Sequence, residues 1–143
     1  MFVDASAIVA ILMRENAWRS LSLDLDAPAK SARVTNPVAV WEAVAALHRR
    51  WGVPVTEAQD RVSEFLEAGV IAMAPVGLAD IAPALAAFEA YGRHRYPDPK
   101  DRNKGLNIAD CFHYATAKAH GGNILTLDTG FALTDLNTEP APD

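Results

Sequence analysis

Apolar positions along this chain fall into two rhythms, and the rhythms alternate. Short unbroken runs predict buried strands, and stretches at helical spacing predict helices. The opening "FVDASAIVAIL" holds both. It predicts a strand over 2–5 and a helix from Ser6 to about Arg14, with Ile8, Val9, Ile11 and Leu12 on one face. A polar stretch without a clear period leads to Pro28, and "ARVTN" then predicts a second short strand. Asn36 reads as an N-cap with Pro37 at the first helical position, and "VAVWEAVAALHRRW" carries that helix to Gly52. Arg49 and Arg50 fall in its last turn, where cations suit the helix dipole.

The next helix, "TEAQDRVSEFLEAG", opens with a capping box of Thr56 and Gln59 and stops at Gly69. "VIAMAPV" predicts a buried strand, and Asp80 caps "IAPALAAFEAY". Residues 93–106 are a polar loop rich in turn formers. Asn107 caps "IADCFHYATAKAH", which ends at Gly121 and Gly122. "NILTL" is another strand, finishing at Asp128, and "TGFALTDL" is a turn followed by a short element. Strands separated by helices imply an α/β fold with a mostly parallel sheet. In such sheets ligands bind beyond the carboxyl ends of the strands. Asp4 and Asp128 both stand at such ends.

At 143 residues, half of them apolar, the chain is expected to form one domain over 1–143 around one core. No apolar run approaches a membrane span, and the start lacks the basic segment of a signal peptide. Cys111 is alone, so an intrachain disulfide and a cysteine metal cluster are both disfavoured. These features predict a cytoplasmic protein. A net charge of −5 argues against a general nucleic-acid binder. Carboxylates that hold divalent cations change that inference, because two such ions would bring the chain close to neutrality. A phosphodiester substrate therefore stays open, provided there is a metal site.

Four carboxylates carry the candidate chemistry, and each has a structural alternative. Asp4 could cap the first helix, unless Ser6 takes that role and leaves it free. Glu42 lies in the most apolar part of its helix, beside Val38, Trp41, Ala45 and Ala46, with no cation one turn away. It could still face solvent. Asp110 could close a capping box with Asn107, and Asp128 could serve a turn. Their conjunction is more informative than any one of them. Two end strands and a third begins a helix, so they can converge on one sheet edge. Such a cluster, without His or Cys, is a hard-oxygen site suited to Mg²⁺ or Mn²⁺. It fits phosphodiester hydrolysis by a metal-activated water.

Other chemistries find less support. His48, His94, His113 and His120 show no metal spacing, and His113 reads as a packed core residue. There is no glycine-rich phosphate loop. "RHRYPDPKDRNKG" is either a solvated loop or a phosphate-contacting rim, with Arg102 and Lys104 as its candidate contacts.

The segments "FVDASAIVAIL", "VWEAVAAL", "LNIADCFHYATAKAHGG" and "ILTLDTGFALTDL" resemble, in order and spacing, the PIN-domain ribonucleases and most closely the VapC-type toxins. The resemblance implies an α/β/α sandwich. It implies Asp4, Glu42, Asp110 and Asp128 as an acidic quartet around Mg²⁺ or Mn²⁺, with Ser6 and Thr126 as supporting residues. Many relatives carry Gly-Asp-Asp-Phe at the last motif. Here "LDTGF" sets the acid three residues before Phe131, with Asp135 as the fallback. The resemblance also implies cleavage of single-stranded RNA, a homodimer and a cognate VapB-like antitoxin. The rival readings are an inactive PIN-like binding protein, a DNA-directed nuclease or phosphohydrolase, and a phospho-acceptor domain.

Overall fold

The computed structural model describes residues 1–27 and 32–140. The described residues hold six α-helices and five strands, joined in places by short one- or two-turn helices. They are β1 (Phe2–Val3), α1 (Ala5–Leu12), α2 (Trp18–Asp26), β2 (Val34–Thr35), α3 (Pro37–Trp51), α4 (Val55–Ala68), β3 (Ala72–Met73), α5 (Ile81–Tyr91), α6 (Ile108–Ala119), β4 (Asn123–Leu125) and β5 (Asn137–Glu139). The strands form one parallel sheet in the order β3-β2-β1-β4-β5. The helices make it an α/β/α sandwich. α1 packs on α2 and α3, α3 on α4, and α5 on α6.

β1 is the centre of the sheet, with Phe2 beside both Val34 and Ile124, and Val3 beside Leu125. Phe2 and Val3 are fully buried, as a strand covered on both faces must be. From β1 the chain builds outward to β2 and β3 on one side, then returns through β4 to the other. β1 and β4 therefore flank the point where the strand order reverses, which is where open α/β sheets bind ligands. Asp4 follows β1 directly, and its backbone N–H donates to the Leu125 carbonyl at 3.0 Å, tying the two strand ends together.

Several local expectations are corrected. The polar stretch before Pro28 contains α2; Pro28 itself lies outside the described residues. "VIAMAPV" supplies an edge strand with Ala72 and Met73 exposed, while Ile71 and Ala74 on either side are buried. α4 starts at Val55 after Pro54 and has no side-chain cap, so Thr56 and Gln59 form no capping box. Asp80 makes no cap bond to α5; its carboxylate accepts from the Gly77 N–H at 2.7 Å and closes a tight turn over Leu78–Asp80. After Gly69, the left-handed residue at the end of α4 is Val70, at φ 51°. The tail after Asp128 holds a one-turn helix, Phe131–Leu133, and then β5, an edge strand with no apolar residue.

Candidate active site

Asp4, Asp110 and Asp128 are brought to the carboxyl end of β1 and β4 by three different local devices. At Asp4 the two competing readings merge, because the residue caps α1 and also faces the site. Its Oδ2 accepts from the Ser6 hydroxyl at 2.6 Å, the Thr126 hydroxyl at 2.8 Å and, more loosely, the Ser6 N–H at 3.4 Å. Ser6 therefore does not replace Asp4 as the cap. Ser6 Oγ also accepts from the Leu127 N–H at 2.9 Å, and Thr126 Oγ1 from the Asp128 N–H at 3.0 Å. The two hydroxyls thus lock the segment after β4 onto the start of α1.

Asp110 closes the capping box that its spacing from Asn107 allows. The Asn107 N–H donates to Asp110 Oδ2 at 2.8 Å, and the Asp110 N–H donates back to Asn107 Oδ1 at 2.9 Å. Asp128 folds a tight turn in which Oδ1 accepts from the Gly130 N–H at 2.8 Å. A side chain at Gly130 would crowd that carboxylate, with Asp128 Oδ1 only 3.1 Å from a Cβ there.

Glu42 reaches the cluster from α3 through a buried partner, His113, whose place in the sequence marks it only as core. Glu42 Oε1 accepts from His113 Nε2 at 2.9 Å, and the same nitrogen lies 3.9 Å from Asp4 Oδ1. His113 is fully buried, stacked on Phe2 at 5.3 Å between ring centres. Its Nδ1 accepts from Asn36 Nδ2 at 3.2 Å; that amide also donates to Thr116 Oγ1 at 3.0 Å, while Asn36 Oδ1 caps α3 at the Ala39 N–H. The cap fixes which way the Asn36 amide points, and this pattern assigns the ring proton to Nε2, aimed at Glu42. Burial opposes a second proton on the ring. The hydrogen bond to Glu42 and the charges of Asp4, Glu42 and Asp110 outweigh it and raise the His113 pKa.

Each carboxylate thus commits one oxygen to the protein. The other oxygens of Glu42, Asp110 and Asp128 accept no hydrogen bond from the described residues, and Asp4 Oδ1 has only the distant His113 contact. Among the described residues no three His, Cys, Asp or Glu side chains form a ready-made cage around an ion. The donor set nevertheless fits Mg²⁺ or Mn²⁺, since Mg²⁺ keeps several waters and needs only one or two carboxylates directly. Electrostatics point the same way. Burial pushes the Asp110 carboxyl up to about 6, helped by Asp128 and Asp4 and opposed by Asn107 and His113. Burial also raises Asp128, where Asp4 and Glu42 add to the rise while Gly130 and Arg93 counter it. A positive ion among these groups relieves their mutual repulsion.

The raised Asp110 value predicts a pH dependence. The folded chain binds this proton more tightly than the unfolded chain does. The resulting stabilisation is fully present below about pH 4 and is lost as pH rises through about 6. Asp110→Asn never ionises and keeps an oxygen for the Asn107 N–H. In EDTA, urea melts should show this variant gaining stability relative to the parent between about pH 5 and pH 7.5. An offset equal at both pH values would refute the assignment.

Lys104 pairs with Asp101 at 2.7 Å within the short helix Pro99–Lys104, and Arg102 is exposed beside it. The charge of Arg93, at the start of the polar loop, is felt at Asp128, and no motif marks that residue. Its backbone lies against Gly105, where a Cβ would come within 2.5 Å of Arg93 Cα. Asp135 stands apart from the cluster, held by the Tyr114 hydroxyl at 2.7 Å and Lys118 at 2.9 Å.

A PIN domain family model matches residues 1–136. A VapC ribonuclease of Rhizobium meliloti is 32% identical over 94% of this chain and 98% of its own length. Ribonuclease VapC of Mycolicibacterium smegmatis is 31% identical over 95% and 97%, and ribonuclease VapC30 of Mycobacterium tuberculosis 28% identical over 99% and 100%. The crystal structure of Mycobacterium tuberculosis VapC20, a Sarcin-Ricin loop cleaving toxin, matches the fold with a TM-score of 0.68 over 99% of this chain and 98% of that one, at 18% identity. By the family-model match and these relatives, the chain belongs to the PIN-domain family, in its VapC branch.

Proposed function

We propose that this chain is a metal-dependent endoribonuclease toxin that cuts single-stranded regions of cellular RNA. The observation that carries the reading is the set of carboxylates at the β1 and β4 ends, each anchored by one oxygen with the other left without a close donor. The names of the curated relatives, VapC ribonucleases, supply the substrate class. Asp4 and Asp110 would hold Mg²⁺ or Mn²⁺, with Asp128 and Glu42 completing the site directly or through water. Such an ion lowers the pKa of a bound water and stabilises charge on the phosphate. Ser6 and Thr126 hold Asp4 in place, His113 holds Glu42, and the Asn107 box holds Asp110. Water adds to phosphorus, one P–O bond breaks, and the leaving oxygen takes a proton.

The same proposal includes a cytoplasmic location, a homodimer and a cognate VapB-like antitoxin. A basic side chain of an antitoxin would satisfy the carboxylates in place of the cation. No helix among the described residues is long and apolar enough to cross a membrane.

The test is incubation of the purified chain, free of any antitoxin, with total cellular RNA and with DNA of matched sequence. Mg²⁺, Mn²⁺ and EDTA are compared. Discrete RNA fragments that need metal are expected. Cleavage of DNA alone would shift the assignment to a DNA nuclease, and a folded, metal-replete protein that cuts neither would leave a binding protein.

A further inference from the structure

An open cleft of about 640 Å³ runs from Glu42 along α3. Ser6, Glu42 and Leu127 line its catalytic end, and Arg49 and Arg50 its far end. At the Glu42 end stands Trp41, 71% exposed, and the small residues Ala45 and Ala46 line the cleft between it and the arginines. One exposed aromatic is ordinary on a protein surface. This one adjoins Glu42 in sequence and shares a wall with it. Trp41, Ala45 and Arg49 are spaced four residues apart, so they lie along one face of the helix. Arg50 is tied to Glu15 by an ion pair, whereas exposed Arg49 has no carboxylate partner among the described residues. A free cation at this end of a chain with net charge −5 is local complementarity to a polyanion.

We infer that this cleft seats the RNA strand on one side of the scissile phosphate, with a base stacked on Trp41 and a backbone phosphate at Arg49. The inference rests on the nuclease reading above and adds where the strand lies. From Glu42 to Arg49 the helix advances roughly 10 Å, a span of neighbouring nucleotides. A flat indole accepts any base on its face, so stacking here gives affinity with little sequence preference. Arg49 contributes through charge, and its contribution weakens with salt.

The experiment measures metal-dependent cleavage of a short single-stranded RNA containing a site mapped with the parent protein. Trp41→Ala, Trp41→Phe and Arg49→Gln are compared with it after circular dichroism confirms folding. Trp41→Ala should raise KM roughly tenfold or more, with kcat within about threefold. Trp41→Phe should recover most of that loss. Arg49→Gln should raise KM and flatten the salt dependence by a slope of about 0.7. Parent-like KM in Trp41→Ala, or a fall in kcat alone, overturns the inference while the nuclease reading stands. A parent that cleaves no RNA removes both. Unchanged RNA kinetics with loss of self-association or of antitoxin binding assigns the cleft to a protein and also overturns it.

Discussion

Asp4→Asn should fold normally and lose roughly 10³-fold or more of its single-turnover RNA cleavage rate at saturating Mg²⁺. The structure separates the two effects. Oδ2 takes the hydrogen bonds of Ser6 and Thr126, and an asparagine oxygen can accept the same bonds. Removing the charge also relieves repulsion that raises Asp110 and Asp128. Stability should therefore change by no more than about 1–2 kcal/mol in a urea melt. What is lost is the anionic oxygen on the other side of the carboxylate, which a neutral amide cannot supply to a cation. Asp135→Asn is the matched control. It disrupts an exposed pair with Lys118 far from this chemistry and should leave cleavage within about twofold. Full metal-dependent activity in Asp4→Asn would sink the site assignment.

The parts of this site that the sequence displays are those fixed by local rules. Asp4 stands where an apolar pair meets a helix, Asn107 and Asp110 have capping-box spacing, and Asn36 with Pro37 marks the start of the helix carrying Glu42. The parallel sheet follows from strands alternating with helices. Other elements carry no such mark. In α2, Leu21, Leu23 and Leu25 alternate as a strand would, yet Leu21 and Leu25 are buried at helical spacing while Leu23 is 72% exposed. β5 carries only polar residues and pairs with β4 at the sheet edge, so it leaves no hydrophobic trace. β3 misleads in the opposite way, since its apolar run lies on an exposed edge. The charge of Arg93 is felt at Asp128, and its segment is placed where Gly92 and Gly105 let two backbone stretches meet, a packing event with no periodic signature.

His113 is the largest omission of this kind. Its partner Glu42 is 71 residues away in sequence. The local hint is that His113 lies three residues after Asp110, on the same face of α6. Read as core, it would matter only for stability; as the donor to Glu42, it positions a carboxylate. His113→Phe separates these roles, because it preserves bulk beside Phe2 while removing both ring nitrogens. One donor of Asn36 then loses its acceptor, which should cost about 1–3 kcal/mol in a denaturant melt. Glu42, 32% exposed at the cleft edge, loses the bond that orients it, and cleavage should fall roughly 10- to 100-fold. A purely structural histidine would lower stability but leave the rate of the folded fraction unchanged. A double-mutant cycle with Glu42→Gln decides the matter. If His113 acts through Glu42, His113→Phe in the Glu42→Gln background should lower activity only about two- to threefold further, since the oriented carboxylate is already gone. Independent, multiplicative losses would show that His113 reaches the reaction by another route.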